Sequence, residues 1–398
     1  MIFQNKRLLV GITGGIAAYK TASLVRRLVH DEGARVQVIM TKNAQEFVTP
    51  LTFATLTGQP VITEMFSNDS IGTRHIDLVQ EADAVLVCPA TANILAKSAQ
   101  GIADDMLSTV ILVAGNKTCF VPAMNTAMYL NPITQANLSR LKALGYAILE
   151  PDEGPLACQA SGKGRMPDER VILAFLDQRL NGQGLLKGKK VVITAGPTRA
   201  PIDDIRFITN RSSGKMGYAL AECAVREGAE VILITGPTAL PKPWGVQLIA
   251  IETVAELQQA LNEAGENADY LFMAAAVEDL LPVRKAAGKI KKEHGLTNIE
   301  IQIAPDLVRD FRQRHPSTCI IGFSVEIEDG LERSRLKMQH KGLNYVVWNN
   351  PQQAGAAFEH DTNAVTLIAN DGRSWEFPLA SKRIIADQII RTVLSTKA

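Results

Sequence analysis

One sequence pattern occurs twice, and it leaves few architectures open. An apolar run, Leu8-Leu-Val-Gly-Ile-Thr13, meets Gly14-Gly15 and then Ala17, Ala18, Thr21, Leu24, Val25 and Leu28 at helical spacing. Gly33 suits the left-handed position after that helix, and the apolar run Val36-Gln-Val-Ile-Met40 follows. Near residue 190 the pattern returns as Lys190-Val-Val-Ile-Thr-Ala-Gly196, a long loop, a helical segment from Gly214 to Gly228, and Glu230-Val-Ile-Leu-Ile-Thr-Gly236. Strand, glycine loop, helix and strand in that order open a doubly wound parallel sheet. The expected fold is therefore α/β, with two doubly wound Rossmann-like three-layer domains, each on a mainly parallel sheet. Further strands are expected near 84–88, 118–122 and 146–150, and near 269–275, 319–323 and 344–348. A chain of 398 residues exceeds one ordinary core, and the glycine-rich stretch 181–188 predicts the boundary. The expected domains are 1–188 and 189–398.

Glycine loops at helix starts suit phosphate, because backbone N–H groups and the positive end of the helix dipole meet there. Neither loop reads G-x-G-x-x-G, and the second strands end in Met40-Thr41-Lys42 and Thr235-Gly236-Pro237 without an acid for an adenosine ribose. A nicotinamide dehydrogenase is thereby disfavoured, while a mononucleotide such as FMN stays open. Beside Gly14 and Gly15, residues Thr13, Thr41, Thr91 and Asn93 put hydroxyls and an amide at three strand ends. Taken singly, each is better read as an ordinary turn or cap.

A second constellation lies further along the first half. Pro122-Ala-Met-Asn125 ends the apolar run Thr118-Cys-Phe-Val121, so Asn125 is expected where a buried strand emerges into a loop. His75 sits in a polar stretch, and Cys158 lies in 151–167, which reads as a mobile surface loop rich in glycine and proline. A thiol there has no packing reason. Amide, imidazole and thiol could together handle a carboxylate and a proton, which points to an enzyme. Cys88, Cys119, Cys223 and Cys319 fall in apolar strands or a helix and read as small core residues. Without any C-x-x-C pair, a reducing cytoplasm is expected. The segment from Met1 to Arg7 offers no signal-peptide pattern, and no apolar run approaches the roughly 18 residues that span a bilayer. Forty-two Lys and Arg against 41 Asp and Glu leave a formal charge of +1, which argues against nucleic acid or an acidic membrane as partner.

The second half carries different chemistry. Arg206-Phe-Ile-Thr-Asn210-Arg-Ser-Ser-Gly-Lys-Met-Gly217 gathers cations, hydroxyls and glycines before a helix. Lys289-Ile-Lys-Lys292 lies between Gly288 and Gly295, Lys337 and Lys341 share a helical face, and Asp279 follows the apolar run 271–277. Lysines for phosphates and a carboxylate for base, sugar or magnesium suit a nucleoside triphosphate with its metal. For Lys337 and Lys341 the competing reading is a pair of solvated surface lysines.

These motifs together resemble the bacterial bifunctional flavoproteins of coenzyme A biosynthesis, in which phosphopantothenoylcysteine decarboxylase is fused to phosphopantothenate–cysteine ligase. The resemblance covers nearly the whole chain. In the first half it rests on Gly14-Gly-Ile-Ala-Ala-Tyr-Lys20, His75, Pro89-Ala-Thr-Ala-Asn93, Gly101-Ile-Ala-Asp-Asp-Met-Leu107, Pro122–Asn125, Cys158 and Gly162–Met166. In the second it rests on Thr194-Ala-Gly-Pro-Thr198, Asn210–Gly217, Ala274–Val277 with Asp279, Lys289–Lys292 and Pro305-Asp-Leu-Val308. Four positions depart from the family pattern: Thr91 for Ser, Leu280 for an aromatic, Asn350 for Asp, and Glu278 for a small residue.

The resemblance implies FMN and Mg2+ as cofactors and CTP as co-substrate, with ATP and Mn2+ left open by the residues themselves. It implies that FMN is held by Thr13, Gly14, Gly15, Thr41, Thr91, Asn93 and Ala123, and substrate by Asn125, Arg165, Met166, Arg206 and Asn210. The flavin would oxidise the substrate thiol to a thioaldehyde, an electron sink for decarboxylation to an enethiolate. His75 and Asn125 would handle the carboxylate, and Cys158 would give the proton that completes reduction. In the ligase half, Lys289 would stabilise an acyl-cytidylate with Asn210 beside it. Ala275, Asp279, Pro305, Asp306, Leu307, Val308, Phe323, Lys337 and Lys341 would frame the CTP, and Asp279 would meet the metal. Trimers of the decarboxylase part and dimers of the ligase part, up to a dodecamer, are implied too. Two alternatives stand beside this: a flavoprotein whose ligase half is impaired, and a non-catalytic flavin-binding regulator.

Overall fold

A computed structural model describes residues 1–66, 74–155, 161–291, 298–326, 329–349 and 360–396. Backbone contacts divide them into two units, Met1–Asn181 and Gly182–Ala398. The division falls a few residues before the boundary expected at 188. Leu186 is buried in the second core, and its N–H donates to the Glu227 carbonyl at 3.0 Å.

In the first unit the strands are β1 (Arg7–Ile12), β2 (Arg35–Met40), β3 (Ala84–Ala90), β4 (Thr118–Pro122) and β5 (Ala147–Ile148). They form one parallel sheet in the order β2-β1-β3-β4-β5. Every residue of β3 and β4 is buried, as expected for strands covered by helices on both faces. The helices are α1 (Ala18–Arg26), α2 (Pro50–Thr57), α3 (Arg74–Glu81), α4 (Ala92–Gln100), α5 (Met106–Ala114), α6 (Thr126–Leu130), α7 (Pro132–Ala143) and α8 (Glu169–Asn181). Local chemistry starts several of them. Asp105 closes a capping box on α5 with Ser108, and Asn125 caps α6 by accepting the Ala127 N–H at 2.8 Å. Val10, Leu86 and Phe120 are fully buried beneath these layers, each worth about 1.5–3 kcal/mol on burial.

Two expectations for this unit are corrected. The strand expected at 146–150 pairs over only two residues, because Glu150 turns away to meet Lys142 at 2.6 Å and the Tyr129 hydroxyl. The segment expected as a mobile loop is largely an antiparallel pair, β6 (Asp152–Pro155) and β7 (Ser161–Arg165). Cys158 lies between them, outside the described residues.

The second unit continues with β8 (Lys190–Ala195), β9 (Arg199–Pro201), β10 (Phe207–Thr209), β11 (Glu230–Thr235), β12 (Val246–Ala250), β13 (Tyr270–Met273), β14 (Leu280–Pro282), β15 (Ile301–Ile303), β16 (Cys319–Val325), β17 (Tyr345–Asn349), β18 (Thr362–Ala369) and β19 (Ser374–Ser381). Its helices are α9 (Lys215–Arg226), α10 (Val254–Ala264), α11 (Leu307–Arg314), α12 (Gly330–Lys341) and α13 (Lys382–Thr396). The main sheet runs β12-β11-β8-β13-β16-β17-β18-β19, parallel as far as β17 and antiparallel beyond it. Its first six positions follow the dinucleotide-fold order, with the direction of strand addition reversing between the parallel neighbours β8 and β13. The terminal β18–β19 hairpin has no counterpart in the expected alternation. There the register slips between Asn363 and Val365, so that Pro378 and Leu379 both face Ala364. Separate small antiparallel pairs are β9–β10 and β14–β15.

Cys88, Cys119, Cys223 and Cys319 are buried, and among the described residues none of them is in a disulfide. Burial pushes the Cys88 thiol up to about 12, although a hydrogen bond from Thr21 pulls the other way. Among the described residues no helix is long and apolar enough to cross a membrane.

Candidate active sites

In the first unit the crevice of interest lies at the carboxyl ends of β1 and β3, where the strand order reverses. Thr13, at the end of β1, is almost fully buried; its Oγ1 donates to the Pro89 carbonyl at 2.7 Å and accepts the Thr91 N–H at 3.1 Å. Thr41, at the end of β2, donates to the Ile12 carbonyl through both its N–H, at 3.0 Å, and its hydroxyl, at 3.4 Å. A Cβ at Gly15 would stand 3.5 Å from Thr91 Cγ2, so the glycine loop and the β3 end share one wall. Helices α1 and α4 start beside this wall at Ala17 and Thr91, and neither start has a side-chain cap. In α1 the Ala18, Tyr19 and Lys20 N–H groups turn back to the Gly15, Ile16 and Ala17 carbonyls at 2.9, 3.5 and 3.0 Å, so it is the start of α4 whose backbone N–H groups suit an anion. Asn93 lies exposed in the first turn of α4. This donor set fits a flavin mononucleotide.

The Pro122–Asn125 segment joins the same crevice. Ala123 donates its N–H to the Ala90 carbonyl at 3.1 Å, and Met124 donates to the Gly164 carbonyl at 3.0 Å. Gly164 has φ of +140°, and a Cβ there would collide with the Met124 carbonyl oxygen. The β6–β7 pair is thus held backbone to backbone against the Asn125 loop, which brings Arg165 and Met166 alongside. Met166 is buried, with its sulfur 3.9 Å from Cys88 Sγ. Asn125 uses its Oδ1 for the α6 cap, and its Nδ2 is the side chain's one donor group. His75 is the second residue of α3, half-buried. The other end of α3 reaches the start of β1, where Glu81 pairs with Arg7 at 2.6 Å. His75 therefore stands at the helix end nearer the carboxyl edge of the sheet.

Salt links fix the hairpin from behind. Glu150 pairs with Lys142 at 2.6 Å and with Lys163 of β7 at 3.3 Å, and it accepts the Tyr129 hydroxyl. Burial works against the Glu150 charge, yet Lys142, Tyr129 and Lys163 hold its carboxyl down at about 2.

The second unit has an open cleft of about 480 Å³ at the reversal between β8 and β13. Of the expected residues it is lined by Asn210, Ala275, Asp279, Val308, Phe323, Lys337 and Lys341. Asn210 donates to the Val277 carbonyl at 2.9 Å, and Gly214 begins α9 with φ of +75°, a left-handed turn that glycine adopts without strain. Lys337 is not a solvated lysine: its Nζ donates to the Phe323 carbonyl at 3.5 Å, and burial, reinforced by the Lys341 charge, lowers its pKa. Lys341 pairs at 3.2 Å with Asp306, which also caps α11. Leu307 is buried in the core and holds α11, while Pro305 is exposed.

Arg206 and Lys289 lie outside the residues that line this cleft. Arg206 pairs with buried Asp203 at 3.0 Å, and the same carboxylate accepts N–H groups from Ile205, Arg206 and Ile290 at 2.7–3.1 Å. Burial opposes the Asp203 charge, but these N–H groups and Arg206 keep its carboxyl below the usual range. Gly288 likewise donates to Asp204 at 2.8 Å, so both flanks of exposed Lys289 are tied to the 203–204 turn. Lys292 lies outside the described residues, as does Asn350.

The departures near Asp279 leave the cleft intact. Glu278 is buried, its Oε1 accepts the Leu280 N–H at 3.1 Å, and Leu280 points outward on β14. Lys215 of the glycine motif lines the cleft too, while Asn363 and Lys382, which also line it, were missed by sequence reasoning. Lys215 pairs with Asp361 at 2.7 Å, and Lys382 donates to the His360 carbonyl at 2.6 Å. Among the described residues no group of three or more acidic, histidine or cysteine side chains could hold a metal alone.

Two family descriptions match the chain: Flavoprotein over residues 3–181, and DNA/pantothenate metabolism flavoprotein C-terminal domain over residues 186–396. The chain is 40% identical to the coenzyme A biosynthesis bifunctional protein CoaBC of Bacillus subtilis, over 98% of this chain and 97% of that protein. It is 39% identical to the protein of the same name from Vibrio cholerae, over 98% of each. For the Mycobacterium tuberculosis H37Rv protein of that name the identity is 40%, over 98% of this chain and 96% of the other.

Proposed function

Because the chain belongs to the family of bifunctional coenzyme A biosynthesis proteins, we propose that its two units carry consecutive reactions on one substrate chain. The protein is a flavoprotein decarboxylase joined to a phosphopantothenate–cysteine ligase. In our reading the second half, 189–398, activates 4′-phosphopantothenate with CTP, forms an acyl-cytidylate with loss of pyrophosphate, and passes the acyl group to the cysteine amine with release of CMP. The first half, 1–188, then decarboxylates 4′-phosphopantothenoylcysteine to 4′-phosphopantetheine with FMN.

The observation that supports the first assignment is the convergence of Thr13, Thr91 and Ala123 at the reversal of the sheet, with Thr41 at the neighbouring strand end and the uncapped start of α4 beside them. FMN, when bound there, supplies a reversible two-electron acceptor. Asn125 orients the substrate carboxylate through its amide, and His75 assists proton transfer. Met124 and Arg165 wall the substrate. We assign to Cys158 the proton that completes product formation.

For the ligase, Lys337 and Lys341 face the nucleotide, and Lys289 neutralises charge on the α-phosphate and acyl intermediate. Asn210 and Arg206 orient the phosphopantothenate. A Mg2+ at Asp279 would draw its other ligands from the triphosphate and water, since that ion keeps few protein ligands. Exposed apolar residues on the small hairpins, Ile205, Phe207, Ile301 and Ile303, support assembly as a homo-oligomer. Buried cysteines outside any disulfide among the described residues are in keeping with a cytoplasmic setting.

The test is direct. Purified protein is incubated with phosphopantothenate, cysteine, either CTP or ATP, and either Mg2+ or Mn2+, and products are identified by mass. Phosphopantetheine and CMP from the CTP mixture support the reading; no amide product with either nucleotide would sink the ligase half. In Cys158→Ser an enethiol two mass units below phosphopantetheine should accumulate, the difference of one withheld reduction.

A further inference from the structure

Beside the flavin crevice of the first unit lies a cavity of about 550 Å³ that none of the assignments above explains. One wall is a face of α1 and the turn after it, where Lys20, Ser23 and Arg27 recur at i, i+3 and i+7. The other is the stretch from Arg165 to Arg170 that leads from β7 into α8. Lys20, Arg27, Arg165 and Arg170 face Asp168 and Glu169 in this lining; Asp168 pairs with Arg170 at 3.2 Å and also feels the Arg27 charge. The cavity is cationic and open to solvent. We infer that it is a subsite for the phosphate monoester at the far end of the decarboxylase substrate. This rests on the decarboxylase reading of the first unit and deepens it.

Position and length support the assignment. Arg165 directly follows Gly164, whose carbonyl takes the Met124 N–H at 3.0 Å, so the cavity begins one residue from the Asn125 loop. Lys20 lies in the first turn of α1, just beyond the glycine loop. From Lys20 to Arg27 the helix rises about 10 Å. The substrate between carboxylate and phosphate has the reach of about four extended residues, about 14 Å. A molecule held by its carboxylate at Asn125 and laid past Arg165 therefore delivers its phosphate between Lys20 and Arg27. A guanidinium fork and an ammonium suit a phosphate dianion, and the four cations of the lining outnumber its two carboxylates, Asp168, which feels the Arg27 charge, and Glu169.

A flavin phosphate has the same chemistry, so the experiment separates the two sources. Lys20→Gln, Arg27→Gln and the double variant are assayed as holoenzyme with phosphopantothenoylcysteine and with its dephosphorylated counterpart, and FMN is titrated into each apoprotein. The ratio of kcat/KM for the two substrates should fall about tenfold in each single variant and about a hundredfold in the double, through KM. Arg27→Lys should recover part of the ratio. An unchanged ratio overturns the inference. Weakened FMN binding with an unchanged ratio also overturns it and assigns the cavity to the flavin. If the wild-type protein decarboxylates neither substrate, the decarboxylase reading itself falls, and the subsite with it.

Discussion

Thr13 holds Thr91 by a shared hydroxyl: one oxygen donates to the Pro89 carbonyl at 2.7 Å and accepts the Thr91 N–H at 3.1 Å. The two residues end strands that are neighbours in the sheet but some eighty positions apart in the chain, so this hydroxyl ties together the two strand ends of the crevice proposed for the flavin. Thr13→Val keeps the volume and strands both partners. The expected cost is about 1–3 kcal/mol of stability. Flavin retention should fall with it, read as FMN released per chain on denaturation and as a lowered melting temperature. Full flavin content at wild-type stability would show that the hydroxyl has no such part.

Lys289 tests whether the two reactions are separate. Replacing it with Gln keeps size and polarity but removes the charge, a loss of about 2.7–4 kcal/mol if it compares with an oxyanion-hole donor. Ligation should slow on the order of a hundredfold or more. Decarboxylation of supplied phosphopantothenoylcysteine should stay at the wild-type rate. Parallel loss of both half-reactions would undo the two-unit assignment, and loss of neither would leave Lys289 an ordinary surface lysine.

Lys337 predicts a pH dependence. Burial, then the Lys341 charge, lowers its pKa in the folded protein below that of the unfolded chain. Between those two values the unfolded chain holds a proton that the folded one does not, so stability rises with pH through that window and the full penalty applies below it. Lys337→Met removes the penalty. Urea unfolding without nucleotide should show the variant more stable than wild type at pH 7, with the gap shrinking as pH approaches about 10.4, the unperturbed lysine value. CTP binding should weaken in the same variant. A gap that does not vary with pH would contradict this.

Glu227 is fully buried, and its carboxylate accepts Arg226 at 3.0 Å, Arg391 at 3.2 Å and the Gln183 N–H at 3.0 Å. Removing one member of such a cluster leaves charge uncompensated, so Glu227→Ala should cost about 3–5 kcal/mol. Because the Gln183 N–H is held by this carboxylate, proteolysis near 182–184 should also quicken, while the Leu186 bond to the Glu227 main-chain carbonyl survives. Denaturant midpoints and a timed digest would both show it, and a midpoint within error of wild type would refute it.

Much of this was legible in the sequence for a local reason. The strand–glycine–helix pattern is written in contiguous residues, and so are Thr13 with its glycines, Pro122–Asn125, and the Asp279 strand end. Lys337 and Lys341 were visible as an i, i+4 pair, but not their burial against Phe323, which depends on a strand elsewhere. Lys382 and Asn363 had no local signal at all. They reach the cleft through the β18–β19 hairpin, whose antiparallel return breaks the alternation that guided the reading. The β6–β7 pair was hidden by its glycines and prolines, which read as loop until Gly164 is seen to need its missing side chain against Met124.

The slip at Pro378 has a consequence for how copies of this protein can meet. β19 is an outer strand of the second sheet, and an outer strand ordinarily offers a row of amide hydrogens on which a foreign strand can grow. Proline supplies no amide hydrogen, and the two-against-one bulge twists the backbone out of line at the same place. Polymerisation by strand addition is blocked there by covalent chemistry rather than by charge. The rim of this sheet is thus interrupted at Pro378, where a growing strand would find no donor.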